Sequence, residues 1–357
     1  MILAEFVTKH GDMRDHGPEA MPLATALVRY WEHQAQHLRS AEDARLALAK
    51  WSDHFGEAVV ADLTHTRVAA FVGDLRGRGL SDGYIRRVLA VGKAALSRAH
   101  KFGEITAVPY IDMSLAPVPA PRERVATLQE VAALFRAAQE PHIVAYLTTA
   151  LATAARPEAI LELTTFQCDL TNRIVRLNPP GRRQNKKRRP TLPMAAPLAE
   201  MVAGRPAGPV VAWHGKPLKS IKSAWARTKA RAADALRQDG QDAAAEALND
   251  VTPYVLRHTM ATEMRRRGVP VWEVATWLGH STGYRTTEMY AKESPEAVGA
   301  ALRATEAYLS DLGGELAGEA PWSVCNPRAC ELRASASANL VPQERLELPT
   351  HALRMRC

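Results

Sequence analysis

The chain has 357 residues, with 46 Lys and Arg against 38 Asp and Glu and a formal net charge of +8. This length predicts two or three domains, and 46% hydrophobic with 24% charged residues is typical of a globular protein and excludes a disordered or low-complexity chain. The longest weakly polar run, 143–155, is too short for a membrane span, and the N-terminal residues lack the apolar stretch of a secretory signal. Since the four cysteines fit neither a disulfide framework nor a zinc site, we expect a cytoplasmic protein without a membrane partner.

The basic charge is concentrated in one decapeptide. Residues 1–310 carry 41 basic and 32 acidic side chains, a net of +9, while residues 311–357 carry a net of −1. The decapeptide GRRQNKKRRP at 181–190 holds six basic side chains and no acid, so it supplies +6 of that +9. An isolated basic run is a solvated surface or a localisation tag about as often as it is a binding site. Strand-like segments at 173–177 and 191–194 flank this one, which places it at or near a β-turn and favours a polyanionic partner.

The first predicted domain, residues 21–108, follows an N-terminal extension of residues 1–20 and is a small bundle of helices. Its clearest helix begins after Ser81, a predicted N-cap, and ends before Gly103, with apolar residues at helical spacing between them. Basic side chains occupy mainly the other faces of this helix, including Arg86, Arg87 and Lys93. Taken alone, such charges are more often ordinary solvation of a helix face than a DNA-binding surface. Four prolines between 109 and 121 then predict an extended linker over residues 109–124.

The second predicted domain spans residues 125–310. Thr127 and Glu130 form a capping-box signature at the start of its first helix, and a further apolar helix covers about 141–155. Short strands are predicted on both sides of the basic decapeptide and again at 210–213. The second domain therefore combines helices with a small sheet.

Two helices follow from residue 252. The first has Thr252 as its predicted N-cap and Pro253 in its first turn, and its apolar stripe consists of Leu256, Met260 and Met264. The second is opened by Pro270 and closed by Gly279, and its predicted inward-facing residues are Val271, Val274 and Leu278. Residues 286–291 start another helix, which carries Tyr290. Residues 311–357 are predicted to be a tail of uncertain order.

Several short motifs occur in a defined order along this second domain. They read TAARPEAILEL at 153–163, the basic decapeptide followed by TLPM, YVLRHTMAT at 254–262, WLGH at 277–280 and YRTTEMYA at 284–291. In this order the chain resembles the tyrosine recombinase (phage integrase) family over about residues 25–300. The resemblance implies a mainly α fold with a small antiparallel β-sheet in the catalytic domain, preceded by a helical, SAM-like core-binding domain.

Cleavage of a phosphodiester by a side chain needs fixed donors for the charge that builds on the non-bridging oxygens. Arg156 and Arg257 are the candidates, because a guanidinium offers a planar pair of donors and stays charged. By resemblance, Tyr290 is the nucleophile that forms a 3′-phosphotyrosyl link and releases a 5′-hydroxyl, and His280 donates a hydrogen bond to the phosphate. Lys186, or alternatively Lys187, is the general acid. The link conserves the bond energy, so no cofactor, ATP or metal is implied.

The remaining basic side chains are predicted to hold DNA phosphates without reading sequence. These DNA-binding candidates are Arg182, Arg183, Lys187, Arg188, Arg189, Arg86, Arg87 and Lys93. Three features depart from the family pattern. Tyr254 stands at the position where the family usually has His or Lys. Ala159 replaces a common carboxylate, so that Glu158 or another acid is expected to orient Arg156. The separation of Tyr290 from His280 is ten residues, where nine is more common.

The resemblance implies a site-specific recombinase, an integrase of a mobile genetic element. Its implied partner is double-stranded DNA with specific recombination sites, on which a homotetramer passes through a Holliday junction, together with accessory DNA-bending or directionality proteins. Two alternatives stay open. One is a DNA strand-passage enzyme similar to type IB topoisomerases, and the other is a catalytically weak DNA-binding relative that acts as a regulator, which Tyr254 favours.

Overall fold

The computed structural model describes residues 20–120, 123–184, 187–280, 295–317 and 322 of the chain. Lys186 and Tyr290 lie outside the described residues. The chain divides into two compact units, Met1–Arg122 and Glu123–Cys357. The described part is mostly helical with a small antiparallel sheet, which confirms the predicted fold class. No helix in it is long and apolar enough to cross a bilayer.

The described residues of the first unit form four α-helices, α1 Leu23–His33, α2 Ala41–Phe55, α3 His65–Gly77 and α4 Asp82–Lys101. Trp51 of α2 is fully buried at their centre, and its indole donates a hydrogen bond to the Val88 carbonyl of α4 at 2.9 Å. Gly92 makes this close packing of α2 and α4 possible, because a Cβ there would lie 2.2 Å from the Trp51 ring. As predicted, the Ser81 hydroxyl accepts from the amide of Tyr84 at the start of α4.

The proline-containing segment after α4 packs against the helices of the first unit. Ile111 and Ala116 are buried in its core, with exposed fractions of 1% and 0%. Arg86 Nη1 donates to the carbonyls of Met113 at 2.7 Å and Ala116 at 2.9 Å, and so holds the segment in place. The Arg86 guanidinium therefore has a structural role in addition to the DNA contact predicted for it.

The second unit contains nine described α-helices and two small antiparallel sheets. The helices are α5 Leu128–Arg136, α6 Pro141–Thr153, α7 Pro157–Leu161, α8 Ala196–Val202, α9 Lys222–Gln238, α10 Asp242–Ala247, α11 Pro253–Arg266, α12 Val271–Trp277 and α13 Gly299–Glu315. The strands are β1 Cys168–Asp169, β2 Ile174–Arg176, β3 Thr191–Pro193, β4 Ala212–Trp213 and β5 Lys216–Pro217. Strands β1, β2 and β3 form one sheet in that order, and β4 pairs with β5.

Helix α6 lies at the centre of the second unit, since every residue from His142 to Thr153 is buried. Helix α11 packs against it through the predicted stripe Leu256, Met260 and Met264, which is fully buried. In the first sheet, Val175 of β2 pairs with Leu192 of β3, and the basic decapeptide forms the loop between these two strands, as its flanking patterns predicted. The capping box of Thr127 and Glu130 at the start of α5 is present.

Three features of the second unit differ from their predictions. Thr252 is the N-cap residue of α11, as predicted, but its side chain makes no cap hydrogen bond and its hydroxyl oxygen is buried without a partner. Val271, predicted to face inward, is 65% exposed as the first residue of the short helix α12. Helical order also continues beyond residue 310: α13 ends at Glu315, and Trp322 is buried with its ring edge-to-face on Phe135, the centroids 6.3 Å apart.

Candidate active site

Arg257 is the most deeply buried charged group of the candidate site. It lies in α11 with 6% of its surface exposed, and its guanidinium donates to the Ala154 carbonyl at 2.7 Å and the Leu278 carbonyl at 2.8 Å. Burial, with a smaller contribution from the positive charge of Arg156, lowers its pKa to about 10. The side chain therefore stays positively charged at neutral pH in a fixed orientation.

An unusual turn brings the carbonyl of Ala154 to Arg257. Ala154 has a φ of 48°, in the left-handed region that L side chains with a Cβ rarely adopt, and it ends α6. The turn is braced by Thr153, whose hydroxyl donates to the Thr149 carbonyl and accepts from the Ala155 amide. The chain then leaves α6 with Arg156 as the residue before α7, close enough for its charge to lower the pKa of Arg257.

Arg156 reaches the loop between β2 and β3. Its Nη1 donates to the carbonyl oxygen of Arg188 at 2.9 Å. From the other side, Gly279 approaches the same carbonyl so closely that a Cβ would lie 2.6 Å from the oxygen and 2.8 Å from Pro190 Cδ. Gly279 also has a φ of +63°, so both the backbone conformation and the contact require glycine. The Arg188 peptide is therefore a junction between α7, the end of α12 and the basic loop.

His280 follows this glycine and completes the cluster. Its Nε2 lies 3.2 Å from Nη2 of Arg257. A guanidinium can only donate, so Nε2 accepts and the neutral ring carries its proton on Nδ1. Partial burial of the ring and the charges of Arg257 and Arg156 lower the pKa of His280, which favours this neutral form at physiological pH. Its Nδ1–H is then available as a donor to an anion beside two guanidiniums.

Tyr254 lies one turn before Arg257 in α11. It is 45% exposed, and its ring packs against the ring of His258 with the centroids 5.4 Å apart. The phenol thus stands at the open side of the site, where it can donate a hydrogen bond to a phosphate. Lys187, the alternative general acid, is exposed in the β2–β3 loop.

The basic loop does not present all of its cations to solvent. Arg189 is 6% exposed and its Nη1 pairs with Glu162 at 2.6 Å, so this side chain, predicted to contact DNA phosphates, is buried in an ion pair with a partly exposed carboxylate. Arg182 donates to the Asn178 side chain at 2.8 Å from a half-buried position. Arg183 is exposed and Arg188 is half-buried. In the first unit, Lys93 is exposed and Arg87 pairs with Asp43 at 3.0 Å on the surface.

A second group of exposed cations was missed in the sequence. Around β5 and the start of α9 the exposed basic residues are Lys216, Lys219, Lys222 and Arg227. The sequence contains no acidic residue between Glu200 and Asp234, and this stretch could have indicated the second basic group. It was overlooked beside the denser basic charge of the decapeptide. Glu162 and Gln184, which hold the basic loop, were missed as well. Both contact Arg189, which lies 27 residues after Glu162 and 5 residues after Gln184, and no sequence pattern indicates either contact. No group of three or more His, Cys, Asp or Glu side chains among the described residues is placed to hold a metal ion.

Comparison with known proteins agrees with this geometry. The model of the phage integrase family matches residues 124–297. The Tn1549 transposon integrase, residues 82–397, solved in complex with circular intermediate DNA, superimposes with a TM-score of 0.60 and 17% identity, over 78% of this chain and 98% of that one. A lambda integrase dimer bound to a COC′ core site gives a TM-score of 0.55 and 14% identity, over 82% of this chain and 86% of that one. No curated protein sequence matches the chain.

A helical unit with a small sheet that gathers two arginines and a histidine at one point has the architecture of the tyrosine-type DNA breaking and rejoining enzymes. Residues 124–297 match the family model, so this part of the second unit is a phage integrase domain, the domain of the tyrosine recombinases. This confirms the family that the ordered motifs predicted.

Proposed function

We propose that the protein is a site-specific DNA recombinase that cuts and rejoins DNA strands through a 3′-phosphotyrosyl intermediate at Tyr290. The observation that carries this proposal is the convergence of Arg156, Arg257 and His280. The side chains come from three separate segments: backbone carbonyls hold the two guanidiniums beside the basic loop, and the His280 ring lies against Arg257. Such an arrangement of fixed donors suits the developing charge of a phosphoryl transfer.

In the proposed reaction the Tyr290 hydroxyl gives its proton to solvent, its oxygen attacks the scissile phosphorus, and the bond to the 5′-oxygen breaks. The two guanidiniums and the Nδ1–H of His280 hydrogen-bond to the non-bridging oxygens as negative charge builds on them. The leaving 5′-oxygen takes a proton from Lys186 or Lys187 and becomes a free 5′-hydroxyl. Attack by the 5′-hydroxyl of another strand reverses these steps, returns the proton and releases Tyr290.

The proposed substrate is duplex DNA, held by both units of the chain as core-binding and catalytic domains. The exposed cations of the β2–β3 loop and of the start of α9 supply phosphate affinity that falls with added salt. A homotetramer exchanging strands through a Holliday junction is the proposed assembly. In support, a lambda integrase tetramer bound to a Holliday junction superimposes with a TM-score of 0.53 and 15% identity, over 80% of this chain and 84% of that one.

Covalent capture tests the mechanism and identifies the target site in the same experiment. The tagged protein is expressed in bacterial cells, the lysate is denatured, and DNA that stays attached to the purified protein is sequenced. We expect one recurrent DNA site to be attached to the wild type and none to the Tyr290→Phe variant. Adducts that persist in Tyr290→Phe would refute Tyr290 as the nucleophile, and a wild type without adducts would leave a DNA-binding regulator.

Strand exchange between two differently labelled copies of the captured site separates recombination from strand passage. Recombinant products are expected from the wild type. Relaxation of supercoiled DNA that carries the site, with no recombinant product, would instead identify an enzyme similar to type IB topoisomerases.

A further inference from the structure

Arg156 takes its orientation from a backbone oxygen. Its Nη1 donates to the Arg188 carbonyl at 2.9 Å. Ala159, at the position of the carboxylate common in the family, is 2% exposed and offers no side-chain acceptor. The direction of the Arg188 carbonyl therefore decides where this guanidinium points.

Gln184 fixes that carbonyl through the same peptide unit. Its Oε1 accepts from the backbone amide of Arg189 at 3.2 Å, and its Nε2 donates to the Arg189 carbonyl at 2.9 Å. The Arg189 N–H and the Arg188 C=O belong to one planar trans peptide, so they point in opposite directions. By holding the N–H, Gln184 turns the Arg188 oxygen toward Arg156.

Glu162 holds the second residue of this peptide through its side chain. Its Oε2 pairs with Arg189 Nη1 at 2.6 Å; the Arg189 side chain is only 5% exposed, whereas that of Glu162 is 44% exposed. Glu162 follows the last residue of α7, whereas Arg156 precedes the first, so both ends of this short helix are tied to the two residues of one peptide. Removing the Glu162 charge takes this ion pair from the buried Arg189 guanidinium and lets the loop shift.

We propose that Glu162 and Gln184 are positioning residues for Arg156. They anchor the Arg188–Arg189 peptide, and its carbonyl in turn aims the Arg156 guanidinium at the scissile phosphate. Neither side chain touches the DNA in this arrangement. The inference rests on the proposed function, because it assigns these two residues to the same cleavage step.

The test measures single-turnover cleavage and DNA affinity separately. The substrate is a duplex oligonucleotide that carries the captured site with a nick next to the scissile phosphate, so that the covalent adduct accumulates. We expect Glu162→Gln and Gln184→Ala to lower the rate of adduct formation by about 10–100-fold, because a small misplacement of a transition-state donor costs that much, while Kd changes by less than about threefold.

Two further variants serve as controls. Glu158→Gln removes a carboxylate from the same short segment and tests the acid that the sequence suggested for Arg156. Because Glu158 is 69% exposed and 4.0 Å from Arg189, we expect its loss of cleavage rate to be much smaller than that of Glu162→Gln. Gln184→Glu keeps the acceptor for the Arg189 amide and should retain most of the rate that Gln184→Ala loses. Hydrogen exchange at the Arg189 amide should accelerate in Gln184→Ala only.

Each result decides between the alternatives. Wild-type rates in Glu162→Gln and Gln184→Ala would overturn the inference, as would a loss that only follows Kd or the thermal midpoint. A loss in Glu158→Gln as large as that in Glu162→Gln would assign the role to Glu158. Failure of the proposed function is distinct from all of these, because the wild type itself would then form no Tyr290-dependent adduct.

Discussion

Substituting Gly279 by alanine tests the packing on which the candidate site depends. The added Cβ would lie 2.6 Å from the Arg188 carbonyl oxygen and 2.8 Å from Pro190 Cδ, and the residue would have to keep a φ of +63°. Neither contact can be relieved by rotating a flexible side chain, because one partner is backbone and the other is a proline ring. Either the basic loop or the end of α12 must therefore move.

The expected magnitude has two parts. Holding an alanine in the left-handed region costs roughly 1–2 kcal/mol, and forcing extra volume into a packed contact costs roughly another 1–3 kcal/mol. Gly268 provides the matched control, since its φ is +82° but nothing lies within 4 Å of its added Cβ. Gly268→Ala should therefore lose only the conformational part, and the difference between the two variants measures the contact.

The assay is chemical denaturation of both variants beside the wild type, followed by single-turnover cleavage. We expect Gly279→Ala to lower the free energy of unfolding by about 2–5 kcal/mol and Gly268→Ala by about 1–2 kcal/mol. Only Gly279→Ala should also slow cleavage, because it displaces the Arg188 carbonyl and His280. Equal stabilities for the two variants, with equal cleavage rates, would refute the close approach of α12 and the loop.

Two further outcomes follow from the second unit. Trp322→Ala, or truncation after residue 313, should lower the free energy of unfolding by about 2–4 kcal/mol in denaturant titrations, since the buried Trp322 ring packs on Phe135; an unchanged midpoint would contradict this packing. The pKa of His280 is lower in the folded protein than its ordinary value of 6.5 in the unfolded chain. As the pH falls below 6.5, the unfolded chain therefore binds a proton before the folded protein does, and the free energy of unfolding should decline until the pH reaches the folded-state pKa. His280→Asn should flatten part of this decline in stability. The remaining part comes from His142, because burial lowers the pKa of that side chain as well. An unaltered slope of stability against pH in His280→Asn would contradict the assignment to His280.

Local signals predicted much of the second unit. The capping box of Thr127 and Glu130, the stripe through α11 and the strand pair around the basic loop depend on neighbours within a few residues, and the structure contains each of them. Such features are encoded in the spacing of apolar and capping residues. This explains why the two arginine segments and the histidine could be recognised in order from the sequence.

Distant contacts account for what the sequence did not reveal. The six cations of the decapeptide look equivalent in the sequence. Arg189 is nevertheless buried, and it pairs with Glu162, which lies 27 residues earlier in the chain. Val271 has the spacing of a core residue, yet it is the first residue of a short helix and is 65% exposed there. Trp322 sits in a stretch without periodicity, and only the position of Phe135 gives it a place in the core.

In the proposed mechanism a phosphate relieves an electrostatic cost at this site. Burial, and to a smaller extent the charge of Arg156, lowers the Arg257 pKa to about 10, which disfavours its charged form by roughly 3 kcal/mol. Carbonyl oxygens of Ala154 and Leu278 compensate part of this cost, but they carry no net charge. A dianionic transition state would bring more negative charge to the same donors than the singly charged phosphodiester does. The proposed cleavage would therefore relieve the repulsion between the two arginines most at the transition state, which is the condition for catalysis rather than for binding alone.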